Sequence, residues 1–440
     1  ITPLKLTEME ELIFISLNEC NQTLLQRVSE LLPEGNRLKR LVGIDLLRLT
    51  TNDTLESELL EPWVQWVSIH TSTISASHGV KYLGDIKKLS KLQIWERLSI
   101  HGKDSIVWGA MNARRGSGNG CKVFLPDPWE FDEEAYPKEL NMLIALPRYV
   151  AKNYTSLSKI KLFKLSILFL KNYFNIIGFR YLSKAIHILF KGLIKFKFKK
   201  FIFICFFDYL STAAFAKISK RNNTFFSYLF LNSIAHAQHH HWNGNDITGI
   251  DEIVFTFRTL EKCFELLDNE MEIFSDKNSL AVCSGLGQIN TNHEEQWILY
   301  RIKNMKNFID QLSIKYDEVE TLMSYDGHIL FNNHLDLDIA LISLKKVTVN
   351  DCDLFFLEPD YENYKLFFRV DVSKKIVEGS LIKADKIILT FDKEVEKIVT
   401  RTGKHHANSF IYHNIDKLNK LNNKKIYNHQ LFEKIFPEVF

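Results

Sequence analysis

One recurring pattern limits what this chain can fold into: short apolar runs of buried-strand length alternate with longer amphipathic stretches. The runs are Leu12–Leu17 (LIFISL), Leu46–Thr50, Ser105–Gly109 (SIVWG), Phe225–Leu231 (FFSYLFL) and Leu280–Ser284 (LAVCS). Between them, Asn21 is placed to cap a helix reaching about Leu32. Pro62 marks the first turn of a second helix, with Glu61 as its N-cap. Further helices are expected over Ile94–Leu98 and from Gly249 to about Asn269. Strands that alternate with helices at this spacing reach their neighbours by crossovers, which gives parallel pairing with helices on both faces. The expected fold class is therefore α/β, a doubly wound, mostly parallel sheet sandwiched by helices.

The pattern breaks in one place. From about Pro147 to Lys220 the chain is helical by propensity, rich in Phe, Leu and Ile, and it carries no acidic residue between Glu139 and Asp208. This stretch reads as an inserted basic helical cap over 147–220. It separates an N-terminal part of the core, 1–146, from its continuation, 221–324. Residues 325–440 complete the core with a short β-rich insertion, marked by runs such as Leu354–Leu357 and Lys386–Thr390, and a polar tail after Asn414. Lys interrupts the apolar stretches around Leu165–Leu170 and Phe201–Phe207, so no membrane-spanning helix is expected.

Six scattered cysteines without a CxxC pair point to neither a disulfide framework nor a zinc ribbon. With no basic-then-apolar leader pattern the expected setting is cytoplasmic. A net charge of +3 makes no case for nucleic acid.

Chemistry concentrates in a few places. Asn232-Ser-Ile-Ala-His236-Ala-Gln-His239-His240-His241 directly follows a strand run, where open α/β sheets gather ligands, and imidazoles in that position suit zinc or a similar ion. The structural alternative is a surface histidine cluster. Gly403-Lys404-His405-His406 places a histidine after a turn-permitting glycine. Glu19, at the end of the first strand, is a metal ligand or a simple cap. Glu61-Pro62-Trp63-Val64-Gln65 opens a helix whose free N–H groups suit phosphate, although Trp63 and Trp66 also read as core.

Taken in order, Leu12–Glu19, Trp66–Gly79 ending in Ser-His-Gly, Pro126-Asp127-Pro128-Trp129, Asn232–His236, Val282–Gly287 and Gly403–His405 give the chain a resemblance to a known family. It resembles the alkaline phosphatase superfamily, within it the type I phosphodiesterase/nucleotide pyrophosphatase branch. The resemblance implies metal ligands at Glu19, His236 and His405, with His239 and His240 as possible additional ligands. It also implies departures. The nucleophile position falls on Pro62 or Glu61, neither a hydroxyl. The family's Asp-x-x-x-His reads Asn232-x-x-x-His236, and its Asp-His-Gly reads Gly285-Leu286-Gly287.

One divalent ion, zinc by preference, is therefore expected rather than two. Glu61, Gln65 and Asn232 are the expected catalytic residues, with Glu61 in place of the nucleophile and the other two hydrogen-bonding the transferring group. The implied activity is phosphoryl or phospho-substituent transfer, by a phosphodiesterase or a transferase, on a phosphorylated small molecule or surface glycan. The alternative is a degenerate member of the family that binds such a ligand without chemistry. Peripheral membrane contact through residues 159–200 is a further expectation.

Overall fold

The computed structural model describes residues 11–54, 59–153, 157–242, 250–291, 297–322, 325–421 and 424–440. The chain forms two compact units. The first combines residues 1–150, 158–290 and 403–440; the second combines 151–157 and 291–402.

The first unit is built on an eight-stranded sheet. Its strands are β1 (Leu12–Leu17), β2 (Asp45–Thr50), β3 (Ser105–Ala110), β4 (Cys121–Pro126), β5 (Phe226–Leu231) and β6 (Ser279–Cys283). After a separate two-stranded ladder of β7 (Gly287–Asn290) with β8 (Gly403–His406), the sheet is completed by β9 (Ser409–His413) and β10 (Ile426–Tyr427). Spatial order is β10-β2-β9-β6-β1-β5-β3-β4. All pairs are parallel except those of β9 with β2 and β6. The expected α/β class with a mostly parallel central sheet is what the structure shows.

Alternation along β1 explains the sandwich. Ile13, Ile15 and Leu17 pack with Leu24, Leu25 and Val28 of α1 (Gln22–Leu31) on one face. Leu12 and Phe14 pack on the other with Trp66 and Ile69 of α2 (Pro62–Thr71). Both helix starts follow the sequence rules: the Asn21 side chain accepts from Leu24 N, and Pro62 occupies the first turn behind Glu61.

The basic segment forms two helices, α3 (Lys159–Phe196) and α4 (Lys200–Asn222), both within the first unit. Both are long and apolar enough to cross a membrane by length and composition, which corrects the expectation that Lys excludes such a helix. They differ in surroundings. In α4, Leu210, Ala213, Ala214 and Phe215 are fully buried, so it is a core helix against the sheet rather than a cap. Much of α3 is exposed. Beyond them come α5 (Ser233–His241) and α6 (Asp251–Met271); Gly249, the expected start of the latter, lies outside the described residues.

The C-terminal segment is less peripheral than its polar composition suggests. Phe432 and Phe436 are buried against Phe14 and Phe226, because an aromatic pair four apart on one helical turn can enter a core despite polar flanks.

The second unit is larger than the short β-rich insertion expected. An antiparallel sheet of Phe355–Asp360, Lys365–Val370, Asp326–Leu330 and Glu318–Thr321 surrounds its own core of Phe308, Ile329, Leu366 and Phe368.

Candidate metal centre

The register of the parallel strands sets the position of the site. Leu17 of β1 lies beside Leu231 of β5, and Ser16 beside Cys283 of β6, so three strands end together. Glu19 and Asn232 follow the ends of the first two. This carboxyl edge is where ligands collect in open α/β sheets.

Glu19 is buried and adopts a left-handed backbone conformation, φ 55°. For a residue other than glycine this costs on the order of 1–3 kcal/mol, and neighbours must enforce it. Here the Glu19 N–H donates to the Ser284 carbonyl at 3.1 Å, and Gln238 Nε2 donates to the Glu19 carbonyl at 2.7 Å. The result aims the carboxylate at two imidazoles.

Its Oε2 lies 2.7 Å from His239 Nε2 and 3.1 Å from His405 Nε2, and those two nitrogens are 3.3 Å apart. Glu19, His239 and His405 each offer one ligand atom, all within 4.8 Å of one another. Burial alone would raise the Glu19 carboxyl; with His405 and His239 protonated, their charges and hydrogen bonds would hold it well below its ordinary range.

The outer nitrogens of both rings are engaged. His239 Nδ1 is 3.1 Å from the Gly403 carbonyl oxygen, which can only accept, so Nδ1 carries the proton. His405 Nδ1 is 3.3 Å from Glu61 Oε2. With protons on both Nδ1 atoms, Nε2 can bond to Glu19 only if each ring is a full imidazolium. Two such cations would then face one another at 3.3 Å. A single divalent ion supplies the same charge with both Nε2 lone pairs turned inward. Two imidazoles and a carboxylate are a donor set that zinc and similar divalent ions accept. The group could hold a divalent ion, and Glu61 and the Gly403 carbonyl stand where outer partners would orient its two histidines.

A wider shell fixes the carboxylate. Gln288 Nε2 donates to Glu19 Oε2, and Asn18 Nδ2 donates both to Glu19 Oε1 at 3.1 Å and to Asn232 Oδ1 at 2.8 Å. Trp66 Nε1 donates to Asn18 Oδ1 at 2.8 Å, tying α2 to the centre. Gly403 has to be glycine: a Cβ there would stand 2.7 Å from Gln288 Oε1 and 2.8 Å from the Gln238 carbonyl oxygen.

The expected site residues fall into three groups. Glu19 and His405 converge, joined by His239. Glu61 contacts His405 from outside. His236, named as a ligand from the resemblance, is not in the group; it precedes His239 by three residues on α5, a step of about 4.5 Å along the axis. Its ring lies 4.5 Å from that of His240 (centroids), and burial pushes it down to about 3. His240 is likewise outside the group.

Gln65 does not face the centre. It is fully buried, donates to Asp53 Oδ2 and the Leu59 carbonyl at 2.7 Å each, and accepts from Asn428 Nδ2 at 2.7 Å. Those bonds use both of its donors. Asn18, Gln238, Gln288 and Asp208 were missed by sequence reasoning. Asp208 is buried in α4 and accepts from the N–H groups of Asn232 and Ser233, at 3.1 and 2.8 Å, fixing the start of α5. Its placement between two apolar stretches, the one acid in a core helix, was the available signal.

Two openings adjoin the centre. One of about 210 Å³ is lined by His405 itself with Asp53, Lys404 and His406. The other, about 990 Å³, is lined by Arg48, His406, Lys424 and Lys425, with Cys20 and Gln288 from beside the ligands.

No protein-family model matches the sequence, and no curated protein matches it. Solved structures with a similar layout include phosphonoacetate hydrolase from Sinorhizobium meliloti 1021, in complex with phosphonoacetate. It is 13% identical over 98% of this chain and 95% of that one, with a TM-score of 0.42. Human ectonucleotide pyrophosphatase/phosphodiesterase 5 is 9% identical over 92% and 87%, TM-score 0.41. Alkaline phosphatase from the Antarctic bacterium TAB5 is 11% identical over 98% of each chain, TM-score 0.40.

Proposed function

We propose that this chain is a mono-metal phosphoryl-transfer enzyme of the alkaline phosphatase superfamily, a phosphodiesterase or phospho-substituent transferase acting on a phosphorylated small molecule or glycan. The observation that carries this reading is the convergence of Glu19 Oε2, His239 Nε2 and His405 Nε2. A divalent ion, zinc by preference, would supply a Lewis acid at such a site.

The chain's own residues do the rest. Glu19 contributes charge and is locked by Asn18 and Gln288. Glu61 holds the proton on His405 Nδ1, keeping Nε2 as a lone-pair donor. Asn232 is oriented through its Oδ1 by Asn18, which leaves its amide N–H groups to donate to a phosphate oxygen. Arg48, Lys424 and Lys425 give the larger opening a positive lining suited to a phosphate-bearing substrate. The proposed setting is the cytoplasm.

A second reading is favoured by one observation: Pro62 and Glu61 occupy the position where the resemblance places a hydroxyl nucleophile. In that reading the centre binds a phosphorylated or glycan ligand without turnover. Metal analysis combined with assay of phosphomonoester and phosphodiester substrates separates the two. About one ion per chain with turnover that stops on chelation supports the enzyme. An intact metal content without turnover of any phosphoester or phospho-substituent donor would leave the binder.

A further inference from the structure

Helix α3 is apolar on two sides. One side is accounted for: Phe169, Tyr173, Ile177, Tyr181 and Ala185 are buried in the core of the first unit. The other is not. Ile160, Phe163, Phe179 and Ile194 are 71%, 67%, 77% and 84% exposed.

These exposed residues are ordered by helical geometry. Before the break at Gly178 (φ 72°, a conformation that glycine adopts freely), Ile160, Phe163, Ile167 and Phe174 recur at three-, four- and seven-residue steps. Lys161, Lys164 and Lys171 follow the same steps on the adjacent strip. After the break, Phe179, Phe190 and Ile194 form a second stripe, bordered by Lys184, Lys191 and Lys195. Each half of the helix therefore carries an exposed apolar stripe beside a basic one.

Charge decides what covers these stripes. From Leu140 to Phe207 there are thirteen Lys and Arg and no Asp or Glu. Some of the basic groups are used internally: Lys195 pairs with Asp251 at 2.7 Å, and Lys199 with Glu252 at 2.6 Å. Lys164, Lys171 and Lys191 are exposed and have no ion pair among the described residues. Lys184 and Lys195 face Glu265 and Asp251. Stripes of Phe and Ile beside Lys, with Lys164, Lys171 and Lys191 outside any ion pair among the described residues, match an anionic bilayer surface, where rings enter the acyl boundary and ammonium groups meet lipid phosphates. A spanning arrangement is disfavoured because the inner face of α3 is already packed in a globular core.

We propose that α3 is a membrane-surface anchor that lies against an anionic lipid bilayer. This is independent of the reading of the metal centre, which α3 does not enter.

The test is co-sedimentation of the full chain with vesicles of phosphatidylcholine, with and without phosphatidylglycerol. Binding should require the anionic lipid. It should fall about tenfold or more in the triple variant Phe163→Ser, Phe179→Ser, Ile194→Ser, with the circular dichroism spectrum and metal content retained. Lys164→Glu, Lys171→Glu, Lys191→Glu should abolish the preference for anionic vesicles. The proposal is overturned if the wild-type chain does not sediment with anionic vesicles, or if the triple Ser variant binds as well as wild type. It is also overturned if sedimentation equilibrium shows a dimer of this chain that the same Ser substitutions dissociate, since the stripes would then be covered by a second copy.

Discussion

The Glu61 carboxylate grips His405 from behind: its Oε2 stands 3.3 Å from Nδ1, while Nε2 on the far side of the ring faces Glu19 at 3.1 Å. In the proposed mono-metal reading, this arrangement makes Glu61 a partner of a ligand rather than an attacking group. Glu61→Gln should therefore weaken zinc affinity about 10–100-fold, read by competition with a chromophoric chelator. If the carboxylate were instead a nucleophile, the substitution would abolish turnover and leave affinity unchanged.

The two histidines of α5 should separate cleanly. His239→Ala removes a ligand and is expected to strip the ion during dialysis, with the fold retained. His236→Ala leaves the three ligand atoms in place and should keep the ion. It should cost stability of about 1 kcal/mol, because a half-buried ring that packs on His240 is removed. Metal content of the two purified variants, measured side by side, checks this.

Gly403→Ala tests how tightly β8 is seated. The added methyl would meet the Gln238 carbonyl oxygen at 2.8 Å, and backbone cannot swing aside as a flexible side chain can. A loss of about 1–3 kcal/mol in urea unfolding is expected, accompanied by weaker metal binding as His405 is displaced.

Stability should fall in acid through histidines remote from the centre. Burial pushes His70 down to about 3, and its Nε2 is 3.0 Å from the Tyr228 hydroxyl. A histidine depressed in the folded state stays neutral there while the unfolded chain takes up a proton below its ordinary value of about 6.5. Its contribution is complete above that value and lost as pH falls towards 3. Relative to His70→Gln, the wild-type chain should lose about 1.4 kcal/mol per pH unit on acidification below 6.5. Urea midpoints of both proteins across this range give the difference directly. Taking the difference also removes the opposing slope of Asp127, Glu130 and Asp208, which burial raises to about 7, 8 and 6.

The sheet could be read from the sequence because its determinants are local. Ile13 and Phe14 already show by alternation which face each fills, and Asn21 and Pro62 sit where helix starts require them. The centre was half legible for a related reason: Glu19 and His405 each terminate or follow a recognisable element. The choice between His236 and His239 was not, because it depends on the rotation of α5. That rotation is fixed by Asp208 from a different helix. Gln65 was misplaced because its partner, Asn428, lies 363 positions away. The character of α4 was hidden in the same way, since nothing within it reveals that β5 and α6 will cover it.

The ladder of β7 with β8 pairs Asn290 directly with Gly403, so the chain departs for the second unit and returns at adjoining positions. Residues 291–402 are thus spliced into the arms of a hairpin. Glu19, His239 and His405, together with Glu61 and Gln288, lie outside that splice. The junction is a cassette boundary: residues 291–402 could be exchanged or deleted between Asn290 and Gly403 without removing one residue of the candidate centre.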